Sequence, residues 1–207
     1  MSTAKKDNST FLLKVSLRHN LLKEIENPIV METHGGYGHI GARCYFGLPE
    51  GVVFEKDAAK SAALAQQRPA WAVYECDCVT AIAAGVGSHL PVNFLDLDPY
   101  GEPWPVLDAF FGSKRHFPPR LAIAVNDGLR LKLKTGTAWA THSLQEAVQR
   151  FGNAAIYPRY LDVCRWLLAK KAGQRGYSLT RWAGYYCGHA EQMTHYAAVL
   201  EMPSDAA

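Results

Sequence analysis

The stretch from Val92 to Pro103, VNFLDLDPYGEP, constrains this chain more than any other. It opens on an apolar run, Val92-Asn93-Phe94-Leu95, of the kind needed by a strand buried on both faces. It closes on Asp98-Pro99-Tyr100-Gly101, where proline halts the ladder and glycine frees the turn. A buried strand ending in such a turn belongs in an open α/β sheet, whose carboxyl edge is where ligands bind. Asp98 offers a hydrogen-bond acceptor there, Pro99 a fixed backbone and Tyr100 a flat face. The set suits a planar group bearing an amine, such as a nucleobase. The same four residues also suit a plain strand end with a capping aspartate, so the flanking sequence has to discriminate.

Upstream, Thr10 to Glu26 places Leu12, Val15, Leu21, Leu22 and Ile25 at roughly helical spacing, and Asn27-Pro28 ends the helix. Ile29 to Glu32 is a short strand. The glycine-rich turn Thr33-His34-Gly35-Gly36-Tyr37-Gly38-His39-Ile40-Gly41 follows and opens a helix that runs to about Phe46. Glycines there permit positive φ and let a ligand approach the backbone closely. Gly51 to Glu55 is a second strand, whose terminal acid is placed to accept hydrogen bonds from ribose hydroxyls. A helix over Asp57 to Gln67 and a third strand over Trp71 to Glu75 follow, with Cys76-Asp77 at that strand's end. Strands alternating with helices predict a mostly parallel sheet.

Downstream, Trp104 to His116 is expected to be helical, and Leu121 to Asp127 to be a fifth strand closed by Gly128. Leu129 to Lys134 alternates leucine with Arg130, Lys132 and Lys134, which predicts an extended segment with one basic face. With Lys114, Arg115 and Arg120, this ladder is expected near the carboxyl edge, where it either tracks phosphates or is a solvated face. Gly136 to Phe151 is expected to carry a polar helix. Tyr157-Pro158-Arg159-Tyr160 leads into an amphipathic helix through about Gly173. Tyr177 to Cys187 and Met193 to Met202, linked by Gly188 to Gln192, read as an antiparallel hairpin. Trp182, Tyr185 and Tyr186 are expected to pack across it. Asp96 faces the same side as Asp98 and is expected to be a buried structural acid.

Hydrophobic residues at 48% and charged residues at 20% fit a globular domain. The expected organisation is a disordered start over residues 1–9 and a single domain over 10–207, with no internal repeat. A net charge of +3 permits an anionic partner. The polar N-terminus has no apolar h-region, and no apolar run approaches a membrane span. Five cysteines, an odd number without framework spacing, fit the reducing cytoplasm. Cys76-Asp77-Cys78 lacks a matching pair of ligands, so no metal is expected.

Strand ends that carry, in order, a glycine loop, an acid, an acid and a DPYG turn resemble the S-adenosylmethionine-dependent methyltransferases. The resemblance implies an α/β, Rossmann-like class I methyltransferase fold, with helices on both faces of a mostly parallel sheet and a C-terminal antiparallel hairpin. It implies S-adenosylmethionine as cofactor. Glu32 and the Gly36/Gly38 loop would approach the methionine part, Glu55 would hold the ribose and Asp77 the adenine amino group. His34, Tyr37, Lys56, Cys78 and Asp98 complete the implied cofactor set. Gly36-Tyr37-Gly38-His39-Ile40-Gly41 also matches the dinucleotide fingerprint, but a hydride-transfer enzyme has no use for a DPYG turn.

Within that superfamily, LDLDPYGEPWPVLDAFF, LAIAVND, YPRYLDVCRWLLAKKAGQRGY and THYAAVLE resemble tRNA guanine-N2 dimethyltransferases over Asn27 to Met202. Tyr100 stands where that family has phenylalanine and Glu102 where it has serine, and the family continues into a substrate-binding domain. The implied activity is methylation of an exocyclic nucleobase amine, guanine in RNA. Its alternatives are a DNA amino-methyltransferase acting on adenine or cytosine, sharing a variant of the turn, and a catalytically idle interaction module. Asp98, Pro99 and Tyr100 would be catalytic. Tyr100, Gly101, Asn126, Arg130 and Lys132 would meet a nucleic-acid substrate, with the oligomeric state open.

Overall fold

The structure, a computed structural model, describes residues 10–134 and 142–203. The expected disordered start and residues 136–141 of the expected polar helix lie outside the described residues. In chain order the elements are α1 (Phe11–Leu22), β1 (Val30–Glu32), α2 (His39–Cys44), β2 (Gly51–Glu55), α3 (Ala58–Gln67) and β3 (Ala72–Glu75). Then come α4 (Cys78–Ala83), β4 (Phe94–Leu97), α5 (Trp104–Gly112), β5 (Arg120–Asp127) and α6 (Leu129–Lys134). The last group is α7 (His142–Phe151), α8 (Asn153–Ile156), α9 (Tyr160–Gly173), β6 (Ser178–Cys187), a 3-10 turn (His189–Glu191) and β7 (Met193–Glu201).

The strands form one 7-stranded sheet in the order β3-β2-β1-β4-β5-β7-β6. The first five strands pair in parallel, and β7 runs antiparallel between β5 and β6. Alternate residues of each strand feed opposite cores, because strand side chains alternate in direction. Val30, Val53, Phe94, Ala122, Ala124, Ala197 and Val199 pack with Leu17 and Leu21 of α1, Ile40 of α2 and Leu64 of α3. Met31, Val52, Leu95, Ile123, Val125 and Tyr196 face Ile82 of α4, Trp104 and Phe110 of α5, and Leu167 and Leu168 of α9. Helices therefore cover both faces, and the central strands are apolar on both, as the sequence of β4 and β5 requires.

Three expectations change. Leu129 to Lys134 is the helix α6, not an extended basic ladder. The Asp127 carboxylate accepts from the Leu129 N–H at 2.8 Å and starts that helix. Leu129 and Leu133, four apart, are buried together, and Leu131 between them is 41% exposed. Six residues are too few to distinguish a period of two from one of 3.6 when every second residue is leucine. Arg130 is consequently buried rather than facing a partner. Second, Arg120 opens β5 at the amino edge, bridged to Glu24 at 3.1 Å and Glu201 at 3.4 Å. Arg115 is buried over the Phe110 ring, its guanidinium carbon 4.6 Å from the centroid. Neither belongs to a carboxyl-edge phosphate track. Third, a short helix, α4, begins directly at Cys78, capped by Asp77.

Candidate active site

The carboxyl ends of β1, β2, β3 and β4 lie side by side and bring Glu55, Asp77 and Asp98 around the loop after β1. That loop is tied to both neighbours: Thr33 donates its N–H to the Asp96 carbonyl at 3.0 Å, and Gly35 donates to the Phe54 carbonyl at 3.1 Å. A Cβ on Gly35 would sit 2.5 Å from Val53 Cγ2, so only glycine lets the loop lie this close to β2. Gly36 has φ +55° and open space on its Cβ side, and Gly38 has φ +77° as it enters α2. Both need glycine's left-handed freedom.

Glu55 closes the loop from β2: its carboxylate accepts from Gly36 N–H at 2.8 Å and from Asp57 N–H at 3.0 Å. Asp77 accepts from the Thr80 N–H at 3.0 Å, and that backbone bond holds its carboxyl below the usual range. His34 stands among these acids with Nδ1 2.8 Å from Thr33 Oγ1 and Nε2 3.8 Å from Cys78 Sγ. Burial lowers its pKa although Asp98 and Glu55 pull the other way. Lys56 and Tyr37 are exposed on the rim. Glu32 ends β1. It is 3% exposed and ion-paired with Arg68, whose guanidinium lies against Gly41 and 4.9 Å over the Trp71 ring. Burial pushes the Glu32 carboxyl up while Arg68 pulls it down.

Asp98 lies on the face of the sheet covered by α1, and so do Asp96, Asn126, His195 and Tyr185 on β4, β5, β7 and β6. Register pairs Asn126 with His195 and His195 with Tyr185, so these groups form a row across the strands. Two cations of α1, one turn apart, reach into it. Arg18 is fully buried and grips Asp96 with Nε at 2.7 Å and a second bond from Nη2; Tyr45 donates to the same carboxylate at 2.5 Å. Asp96 is thus the structural acid expected of it. Lys14 Nζ donates to both Asp98 oxygens, at 2.7 and 3.0 Å. Burial would raise the Asp98 pKa, but Lys14 and then Arg18 outweigh it and hold the carboxyl below its ordinary value.

The turn after β4 is braced from below. Gly128 donates its N–H to the Gly101 carbonyl at 3.0 Å, and a Cβ on Gly128 would meet the Tyr100 carbonyl at 3.0 Å. Asp127, fully buried, also accepts from Tyr160 Oη at 2.8 Å, and burial raises its pKa to about 7. Pro99 is buried and Tyr100 stands wholly in solvent, 104% exposed. Lys132 is exposed with its ammonium close to Gly101. Arg130 lies between Tyr186, 3.7 Å from its guanidinium carbon, and Tyr157, at 4.4 Å, and bonds the Glu191 carbonyl. It clamps the β6–β7 turn to α6. Asn126 is 0% exposed behind Asp98.

Known structures share this framework. Trm1 from Pyrococcus horikoshii, solved with S-adenosyl-L-methionine, superposes with a TM-score of 0.68 at 13% identity, over 96% of this chain and 57% of that one. The N-methyltransferase NodS from Bradyrhizobium japonicum WM9, solved with S-adenosyl-L-homocysteine, gives 0.62 at 9% identity, over 96% of this chain and 90% of that one. The fold is a methyltransferase fold. Among curated proteins, a tRNA (guanine(26)-N(2))-dimethyltransferase of Thermoplasma volcanium is 30% identical over 102 residues, 49% of this chain. The chain spans 30% of that relative's length and 57% of Trm1's. No protein-family model matches it.

Within this methyltransferase fold, sequence reasoning overlooked Lys14, Arg18, Tyr45, Arg68 and His195. A signal existed for the first two: Lys14 and Arg18 continue the stripe of Leu21 and Ile25 at helical spacing, and a cation on an apolar stripe needs a buried anion. Nothing local marks the others, which meet their partners only through the tertiary fold.

Proposed function

We propose that this chain is an S-adenosylmethionine-dependent methyltransferase acting on the exocyclic amine of a nucleobase, guanine N2 in RNA. The observation that carries this reading is Asp98, an ionised acceptor at the β4 edge, followed after Pro99 by the wholly exposed Tyr100 ring. The 102-residue relationship to a tRNA guanine dimethyltransferase supports the choice of base and polymer. The residues present fit the cofactor. The Gly36 turn leaves open space, Glu55 and Asp77 offer acceptors suited to ribose and adenine, and the acids around His34 favour a cationic sulfur. Bound there, S-adenosylmethionine supplies an activated methyl group.

What remains for the chain is placement. A base amine is a weak nucleophile because its lone pair is delocalised into the ring. Asp98 accepting an N–H from it favours a pyramidal nitrogen, and the carboxylate stabilises the positive charge that grows on that nitrogen during transfer. Pro99 keeps the acceptor from shifting, and Tyr100 stacks on the base. The released proton passes to water or to Asp98. The test is incubation with labelled methyl donor, separation of RNA, DNA and protein, and digestion of the labelled pool to nucleosides. Label in N2-methylguanosine from RNA is the expected result; label in protein alone, or in none of the three, rejects the reading.

A further inference from the structure

On the α1 face, Lys14 Nζ sits against both Asp98 oxygens with its side chain only 17% exposed, a long-range contact between the first helix and the β4 edge. Directly behind, Asn126 and His195 are each 0% exposed. Neither the Asn126 amide nitrogen and oxygen nor His195 Nε2 makes a hydrogen bond of normal geometry among the described residues. The Asn126 amide is nonetheless near enough to Asp98 to help keep that carboxylate ionised. Buried polar groups are nearly always paired, because leaving one unpaired costs its full desolvation penalty. On paired positions of β5 and β7 beside Asp98, His195 Nε2 and the Asn126 amide thus retain hydrogen-bonding capacity that no bond of normal geometry among the described residues uses.

We propose that Lys14 is a stand-in for the substrate amine, seated on Asp98, and that an inner wall behind it, Asn126 and His195, positions the target base by the ring atoms beside its amine once Lys14 vacates the seat. This rests on the methyltransferase reading and adds to it the residues that hold the base and the group that vacates the seat. The chemistry of the occupants matches. An ammonium offers three N–H donors and a base amine offers two, and Asp98 takes either. Along a guanine edge the amine is followed by a ring N–H and a carbonyl oxygen. Asn126 supplies both an acceptor and a donor, and a neutral imidazole supplies one of either kind. Burial, then Lys14 and Arg18, keep His195 neutral, with a pKa lowered to about 4. Tyr185 Oη, 3.3 Å from His195 Nδ1 and donating to the Leu13 carbonyl at 3.1 Å, ties the ring to the same turn of α1 that carries Lys14.

Two measurements on the whole chain test this. The first needs no turnover: amine acetylation with mass-spectrometric readout, wild type against Asp98→Asn. Lys14 should react at least tenfold more slowly than exposed Lys132 in the wild type and approach it in the variant; an unchanged Lys14 rate in Asp98→Asn overturns the seat. The second follows methyl transfer to unmodified total tRNA. Lys14→Met should lower KM three- to tenfold. His195→Ala should lower kcat/KM by ten- to a hundredfold with S-adenosylhomocysteine affinity unchanged, and His195→Gln should recover part of it. A folded Lys14→Met protein with raised KM or lost turnover places Lys14 in the transfer machinery and overturns the stand-in. A folded His195→Ala protein with unaltered kcat/KM removes the inner wall. If the wild type transfers no methyl group to any RNA, the function proposed above fails, while the acetylation result still decides whether Lys14 occupies the Asp98 seat.

Discussion

At the scale of single residues, Asp98 carries a structural ion pair with Lys14 and, on the proposed function, would also accept from the substrate amine. Its carboxyl is held below the ordinary range mainly by Lys14. The folded pKa lies below the unfolded one, so its contribution to stability is complete above the unfolded value and fades as pH falls through the folded one. Asp98→Asn keeps the shape and loses the charge. It should cut methyl transfer by roughly 10²–10³-fold, the scale for a preorganised group aimed at developing charge. Cofactor affinity, read by calorimetry, should stay within about twofold, because Glu55, Asp77 and the Gly36 loop lie on other strands. Tyr100 contacts solvent alone, so Tyr100→Ala should leave the thermal midpoint in place and raise KM by about tenfold, as loss of a stacking platform requires. These two residues were legible because strand, proline and glycine are consecutive in the chain. Lys14, 84 positions from Asp98, and Arg68, 36 from Glu32, were not, since no local pattern records which buried charges the fold brings together.

At the scale of elements, α1 and α6 show the limits of periodicity. The helical spacing of α1 was clear, but its function is set by Arg18 and Lys14 on the buried stripe. Arg18→Met leaves Asp96 with Tyr45 alone and should cost about 3–5 kcal/mol in urea unfolding, the scale for stranding one member of a buried pair. Joining it to Asp96→Leu should recover most of that loss, because no charge is then left unpaired. In α6 the leucines fitted strand and helix equally, and the deciding group was Asp127, outside the repeat. Its folded pKa is raised to about 7 by burial. Such a group contributes most at low pH, and its contribution is lost as pH rises from the unfolded carboxylate value toward about 7. Asp127→Asn should therefore be relatively more stable at pH 8 than at pH 4, in urea titrations of both proteins; a constant difference across that range would place the ionisation elsewhere.

At the scale of the whole molecule, the run of parallel strands from β1 to β5 followed from alternating strand and helix patterns, and the glycine loop and acids followed from their ends. The expected basic track did not survive, because Arg115, Arg120 and Arg130 are each consumed by the fold itself. Lys132 is the exposed cation next to the turn. If it meets a phosphate, Lys132→Ala should reduce the log–log salt slope of RNA binding by about 0.7. What no local pattern could show is that β7 enters between β5 and β6 although it follows both in sequence. That order has a consequence in time. Until Met193 to Glu201 is in place, β6 has no strand of the sheet to join, and the wall behind Asp98 lacks His195. On the proposed function, the side that would hold the base should be completed later than the side that would hold the cofactor, because β1, β2 and β4 pair among themselves. Pulse-labelled hydrogen exchange during refolding should find β6 amides protected no sooner than those of β7, and a nascent chain should gain the means to grip a donor before it has a place for what is to be modified.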